Sequence, residues 1–324
     1  MLALTTPAMA QDLRLGFWNA DVQRKGPGLL ARDLMKLVNQ DGRPDQDSLA
    51  DLAQAVQAID SLKADVLVLS GFDYDAGGLA LRALNAQLAQ PYPHLVPLRP
   101  NTGVPTGLDL DGNGRNDEAR DAMGFGLFPG QGGMALLSRL PVLPDQGQDH
   151  SAFLWRDLPG VDLPPLPDGA AALLRLSTNG HHDTALALPD GRAFHILTWH
   201  ATTPAFDGPE DRNGKRNHDE TRFWTLLLDG ALPAPPPAAP FALVGQANAD
   251  PDKGDGNPAA IQALLDDPRL QSALSGDTSD YGGTIGPLRT AYILPSADLA
   301  VSASGLAAAP AGARHRPIWV DLHF

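Results

Sequence analysis

The 324-residue chain contains no cysteine. That absence excludes disulfides, iron–sulfur clusters, thiolate zinc sites and cysteine nucleophiles. Cations are scarce: 24 Lys+Arg face 38 Asp+Glu, a formal charge of −14. A basic footprint for a nucleic-acid backbone is therefore not expected, although a locally basic cleft stays open. No apolar run reaches the roughly 18 residues of a transmembrane helix. There is no P-loop, no G-x-S-x-G elbow and no internal repeat. What the chain does have is 43% hydrophobic residues, enough for a sizeable core, together with Gly 33 and Pro 30, which forecast long loops.

The N-terminus reads MLALTTPAMA, and Ala8-Met9-Ala10 is an A-x-A site of the kind signal peptidase cuts. The apolar stretch before it is short and lacks a positive region. One reading is a truncated signal peptide over 1–10, a periplasmic or secreted location and one domain over 11–324. The other is a frayed small-residue terminus. Strands are expected at Leu13–Ala20, Val66–Phe72, Gly133–Ser138, Phe241–Gln246, Ala291–Leu294 and Pro317–His323. Thr184–Leu188 and Phe194–His200 flank Pro189-Asp190-Gly191-Arg192, a hairpin turn. Helical periodicity marks Leu29–Val38, Ser48–Leu62, Gly78–Leu88 and Asp219–Leu228, with Ser48 and Asp219 as N-caps. Residues 99–122, 141–169, 202–218 and 249–287 read as loops. Strands interspersed with helices and hairpins point to an α/β sandwich with mixed sheets.

Eight segments in order carry a resemblance. They are LRLGFWNAD at 13–21, ADVLVLSGFDYD at 64–75, FGLFPGQGGMALLSRLPV at 125–142, HHD at 181–183, FHILTWHATTPAFDGPEDRNGKRNHDETRFW at 194–224, LVGQANADP at 243–251, RTAYILPSADL at 289–299 and ARHRPIWVDL at 313–322. Together they resemble the endonuclease/exonuclease/phosphatase superfamily, in particular a bacterial, exported branch. The resemblance implies a four-layer α/β sandwich, two packed mixed β-sheets flanked by helices. It also implies metal-assisted phosphoester hydrolysis, in which carboxylates hold a divalent cation, Asp activates water and His assists the phosphate.

Carried over position by position, the family's Asn after the first strand is matched by Asn19, its central-strand histidine by His200, the Asn of its D-x-N pair by Asn248 and its final histidine by His315. Its metal-binding Glu falls at Gly71, its base Asp at Gln246, the Asp of its R-x-D-Y motif at Ala291 and the Asp of its D-H pair at Arg314. The neutral and cationic partners are kept and all four acids are replaced. A hard Mg²⁺ or Mn²⁺ then has no carboxylate cage at the usual place. Loss of the base alone costs about 10²–10⁴ in rate. A guanidinium at 314 can stand in electrostatically for a metal against an anion. The expectation is a non-catalytic site in which Arg314, His315 and His200 bind a phosphate-containing or other anionic small ligand, or a site given over to a protein partner.

The alternative is a metal-dependent phosphodiesterase or phosphatase with relocated ligands. Its candidates are Asp21, Asp73, Asp75, Asp183 and Asp250 with His181 and His182, Asp73 and Asp75 facing one way on an extended chain. Taken singly, each reads more readily as a turn-capping or surface acid or a structural histidine than as a metal ligand. Asp109-Leu110-Asp111-Gly112-Asn113-Gly114-Arg115-Asn116-Asp117 has calcium-loop spacing, so Asp109, Asp111, Asn113 and Asp117 are candidate ligands for a structural Ca²⁺. Arg120 replaces the usual last Glu, so weak affinity is expected. Asp207–Glu220 reads as an internally salt-bridged rim.

Overall fold

In the computed structural model the described residues are 12–37 and 49–324. The Ala8-Met9-Ala10 site and Ser48 lie outside them. Thirteen strands and six helices are described: β1 (Asp12–Asn19), α1 (Leu29–Lys36), α2 (Ala50–Leu62), β2 (Val66–Phe72), α3 (Leu79–Asn85), β3 (His94–Leu98), β4 (Gly133–Ser138), β5 (Gln148–Asp149), α4 (Ala170–Leu173), β6 (His181–Ala187), β7 (Ala193–His200), α5 (Arg212–Leu228), β8 (Phe241–Gln246), α6 (Ala259–Leu265), β9 (Ser279–Asp280), β10 (Pro287–Leu288), β11 (Ala291–Pro295), β12 (Ala300–Leu306) and β13 (Ile318–His323).

One sheet has the order β12-β13-β1-β2-β4-β3 and the other β11-β8-β7-β6-β5. Each is mixed, with one parallel pair near its centre, β1/β2 and β7/β8. Alternation along the strands builds the layers. Leu15, Phe17, Val66 and Val68 of the first sheet meet Phe194, Ile196, Val244 and Ile293 of the second in the central core. The opposite faces are covered as well. Trp18, Leu67 and Leu69 pack on Leu34, Leu52, Ile59 and Leu81 of α1–α3. Leu197, Trp199 and Leu243 pack on Phe223, Trp224, Leu227 and Ile261 of α5 and α6. Burial on both faces is why the central strands read as unbroken apolar runs rather than alternating ones. The result is the expected four-layer sandwich of two mixed sheets flanked by helices. Among the described residues no helix is long and apolar enough to cross a membrane.

Several local expectations are corrected. Asp219 is not an N-cap, because α5 begins seven residues earlier at Arg212. The charged stretch 212–218 looked like loop because its helical turns carry polar residues. Yet Arg216, Asn217, Asp219 and Glu220 are buried and bonded to neighbouring loops. The internally paired rim is therefore replaced by a docked helix: Lys215 pairs with Asp162, and Arg212 donates to the Leu110 carbonyl. Helix α6 lies inside the stretch read as the 249–287 loop, and β3 and β12 were not foreseen. β3 contains Pro97 and β12 is a largely exposed edge strand, so neither shows a clear apolar pattern.

Gly245 sits in the middle of β8, where an added Cβ would overlap the Trp199 carbonyl and lie 2.6 Å from its ring. Gly245→Ala is expected to cost about 1–3 kcal/mol through overpacking, read as a lower urea midpoint at unchanged slope. An unaltered midpoint would refute this tight approach of β7 and β8.

Candidate functional site

The parallel pairs bring four strand ends to one edge of the sandwich. Asn19 closes β1 opposite Ser70, and His200 closes β7 opposite Gln246 at the end of β8. Gln246 is in turn paired with Ala291 at the start of β11. His200, Gln246 and Ala291 thus form one row across the second sheet. The loop holding Arg314 and His315 pairs with β9, through a bridge between His315 and Ser279.

The first-sheet side is set by Gly71. The strand bulges there between Ser70 and Phe72, and Gly71 has φ +64°. A Cβ on it would stand 2.5 Å from Asn19 Oδ1 and 2.7 Å from the Asp21 nitrogen. The chain after β1 has moved into that space. The Ala20 N–H donates to the Ser70 carbonyl (2.9 Å) and the Val22 N–H to the Gly71 carbonyl (3.0 Å). Asn19 is buried and its Oδ1 has no partner among the described residues. Asp21 is exposed and accepts from Gln23 Nε2 at 2.7 Å.

On the second-sheet side a chain of side chains links the retained residues. Asn248, at φ +51°, donates from Nδ2 to the Ala201 carbonyl (2.8 Å) and accepts at Oδ1 from Gln246 Nε2 (2.8 Å). Gln246 Nε2 also donates to Thr290 Oγ1 (2.9 Å). Thr290 Oγ1 is 2.7 Å from Ser279 Oγ, which is 2.7 Å from His315 Nδ1. Gln246 Oε1 and His200 Nδ1 are buried without partners among the described residues. Burial lowers the pKa of both histidines to about 4. His200 is lowered further by His315 and raised somewhat by Asp21, whereas for His315 Asp21 opposes the burial and Arg314 adds to it. Arg314 is exposed, its guanidinium 5.3 Å above the Tyr281 ring, and that ring stands edge-on to His315 at 6.0 Å.

Helix α5 braces the loops that carry these groups. Asn217 Nδ2 donates to the Thr202 carbonyl (2.6 Å) and the Ala247 carbonyl (2.7 Å), tying the segment after His200 to the one before Asn248. The buried Glu220 accepts from the Thr202 N–H (2.5 Å) and from the Thr178 N–H and hydroxyl (2.7 and 2.9 Å). Burial pushes its carboxyl pKa up, and Arg216 together with these donors opposes the rise. Sequence reading missed both residues. The only available signal was that they lie four and seven residues after Asn213 on what proves to be a helix.

Four of the five candidate relocated acids are committed to backbone or structural bonds. Asp73 accepts from the Arg24 and Gly132 N–H groups (2.9 Å each). Asp75 accepts from Leu79 and Ala80 at the start of α3 (2.7 and 2.9 Å), so the two do not share a ligand set. Asp183 is paired with His195 Nδ1 at 2.8 Å. Asp250 accepts from the N–H groups of Asp252, Lys253 and Arg289. His181 is fully buried with Nε2 on the Glu220 carbonyl (2.7 Å), and His182 lies against Asp149 (3.3 Å). The fifth, Asp21, is exposed, with its carboxylate on the Gln23 side chain and its backbone beside Gly71.

The acidic loop is a separate feature. Carboxylate oxygens of Asp109, Asp111 and Asp121 lie within 4.8 Å of one another, the only such group of acids or histidines among the described residues. Asp121 joins from outside the nine-residue pattern. Asn113 and Asp117 turn elsewhere, Asn113 Nδ2 to Glu118 (2.7 Å) and Asp117 toward Arg115 (3.8 Å). Asp109 already accepts from the Gly112, Asn113 and Gly114 N–H groups, which hold its pKa below the usual carboxylate value.

The donors at the strand ends do not fit a hard divalent cation. They comprise one carboxylate, already bonded to Gln23, two amide oxygens and two histidines. Mg²⁺ and Mn²⁺ sites draw on carboxylate oxygens.

Residues 16–315 match the family model described as Endonuclease/Exonuclease/phosphatase family. A comparison with curated proteins found no match. Among solved structures, the chain is similar to an endonuclease/exonuclease/phosphatase from Beutenbergia cavernae (17% identity, TM-score 0.54, 97% of this chain and 72% of that one). It is also similar to sphingomyelinase C from Streptomyces griseocarneus (18%, 0.52, 96% and 99%) and to ANGEL2, a 2′,3′-cyclic phosphatase (14%, 0.55, 97% and 95%). At these identities the likeness is one of fold. The family match over nearly the whole chain is the stronger finding, and it agrees with the paired sheets and their strand-end site: the chain belongs to the endonuclease/exonuclease/phosphatase family.

Proposed function

We propose that this chain is a non-hydrolytic member of its family whose strand-end site receives a small phosphate-like anion. The observation that carries the reading is Gly71. The family's Glu position has no room for a side chain, because Asn19 Oδ1 and the Asp21 backbone occupy it. The other acid positions are filled by Gln246, Ala291 and Arg314. The positive charge available is Arg314, exposed at the lip above Tyr281. Neutral His200 and His315 and the Asn19 and Asn248 amides offer hydrogen bonds rather than a metal shell. The competing reading, a metal-dependent phosphodiesterase or phosphatase, draws its support from Asp21, the one candidate acid at the site. A structural Ca²⁺ belongs, in the same proposal, to Asp109, Asp111 and Asp121, whose oxygens are hard donors.

Bis-p-nitrophenyl phosphate and DNA offered with Mg²⁺, Mn²⁺, Ca²⁺ or Zn²⁺ are expected to remain intact, while inorganic phosphate binds by calorimetry. Arg314→Ala should weaken that binding about tenfold or more, as removal of a charge-assisted contact does. Metal-dependent turnover abolished by His200→Ala or Asp21→Asn would replace this proposal with the hydrolase reading. For the acidic loop, Ca²⁺ should raise the melting temperature of the wild type but not of Asp111→Asn. Equal shifts in both would remove Ca²⁺ from that loop.

The buried histidines also set a pH dependence. The ordinary histidine pKa is 6.5, and His200 and His315 are lowered to about 4 and His181 to about 3. Between those values the unfolded chain binds more protons than the folded one. Stability is therefore fully present above about pH 6.5 and falls as the pH drops toward 4. The slope is about 1.4 kcal/mol per pH unit for each histidine at most. Urea midpoints should fall between pH 7 and pH 5, and the fall should shrink in His181→Gln. A flat profile would contradict the buried neutral histidines.

A further inference from the structure

The side chains between Ala201 and His315 form a hydrogen-bond chain with a single direction. We infer that this chain, anchored at the Ala201 carbonyl, holds His315 as the Nε2–H tautomer, a neutral hydrogen-bond donor facing the site. Ser279 and Thr290 are its positioning residues.

The direction follows from donor and acceptor types alone. A backbone carbonyl can only accept, so the Asn248 atom 2.8 Å from the Ala201 oxygen is the NH₂ group, and Asn248 Oδ1 points the other way. That oxygen can only accept, so the Gln246 atom 2.8 Å from it is also an NH₂. The same nitrogen reaches Thr290 Oγ1 at 2.9 Å and donates its second hydrogen there. Thr290 Oγ1 accepts from Gln246, and its own hydrogen has one acceptor within reach, Ser279 Oγ at 2.7 Å. Ser279 then accepts from Thr290 and passes its hydrogen to His315 Nδ1 at 2.7 Å. A nitrogen that accepts carries no hydrogen, so the neutral imidazole keeps its proton on Nε2.

From Gln246 onward these groups are buried: Gln246 is 0% exposed, Thr290 1%, Ser279 2% and His315 5%. Reversing any link would leave a buried hydroxyl hydrogen without an acceptor, at a cost of about 1–3 kcal/mol. The amide at 246 fixes the sign. A carboxylate there could only accept, and Thr290 would have to donate toward it. Ser279 would then donate to Thr290, and His315 would present Nδ1–H to Ser279 and a bare, accepting Nε2 to the site. Replacement of an acid by Gln246 therefore turns His315 from an acceptor into a donor. The ligand class this suits is one rich in acceptor oxygens. That last step rests on the anion-binding reading, whereas the tautomer does not.

Histidine ¹⁵N labelling with long-range ¹H–¹⁵N correlation at pH 7.5 tests it, the His315 signals being assigned by their loss in His315→Gln. The wild type should show protonated Nε2 and a hydrogen-bonded, unprotonated Nδ1. Thr290→Val removes the acceptor–donor link without changing shape, and should leave His315 a mixture of tautomers at unchanged folding by circular dichroism. Thr290→Ser should retain the single tautomer. An Nδ1–H tautomer in the wild type, or a tautomer indifferent to Thr290→Val, overturns the relay. Inorganic phosphate added to the same sample should shift the Nε2 resonance. If the tautomer is as stated and phosphate has no effect, the anion reading fails and the relay stands.

Discussion

The site depends on the space beside Gly71. In a parallel pair the two strand ends lie side by side, and whichever backbone crosses the gap decides which side chains the gap can hold. Here the segment after β1 crosses it. Two backbone bonds, from Ala20 to Ser70 and from Val22 to Gly71, hold Asp21 against the bulge, and only a residue without Cβ tolerates a φ of +64° at that approach. A carboxylate cannot be returned to position 71 by substitution alone. The backbone of 20–22 would have to retreat first, breaking both bonds. The absence of a side chain at position 71 is therefore built into the chain path.

A second constraint works from the opposite side. Strand ends such as His200 are held by their ladders, but the residues just beyond them, Ala201–Thr202 and Ala247–Asn248, are not. Asn217 and Glu220 bridge that gap with four backbone-directed bonds from one face of α5, and aromatic packing of Phe223 and Trp224 against Trp199 and His181 sets the helix in place. The price is a fully buried carboxylate and guanidinium, Glu220 and Arg216, each satisfied by backbone groups. The segments after His200 and before Asn248 are thereby held by one helix face.

The sandwich was legible because burial of both sheet faces leaves strong marks: VLVL at 66–69, GMALL at 133–137 and FALVG at 241–245 are apolar throughout. The row that His200, Gln246 and Ala291 form across the second sheet follows from strands that were legible as well. Three things were not. The helical start of α5 was hidden because its buried residues are polar and its partners are loop carbonyls distant in sequence. The Ser279–Thr290 link was hidden because two hydroxyls eleven residues apart carry no periodic signal. Arg314 could be numbered beside His315, but that did not reveal that it leaves the interior and lies over Tyr281.

Desolvation also bears on which residue types stand at the strand ends. An acid with no exposure is tolerable beside a bound cation, which offsets the cost of removing its charge from water. Without a bound cation, a buried acid keeps its desolvation penalty and has no such compensation. Positions 246 and 291 are 0% and 4% exposed. There the penalty is largest, and neutral Gln and Ala stand in them. Position 314 is on the surface, where a charge costs little, and there a charge of opposite sign stands. Asp21, exposed and solvated, is the acid that can stay. The overall charge of −14 is thus compatible with a strand-end site whose buried members are all uncharged, because desolvation, and not the total count of acids, decides where a carboxylate can be kept.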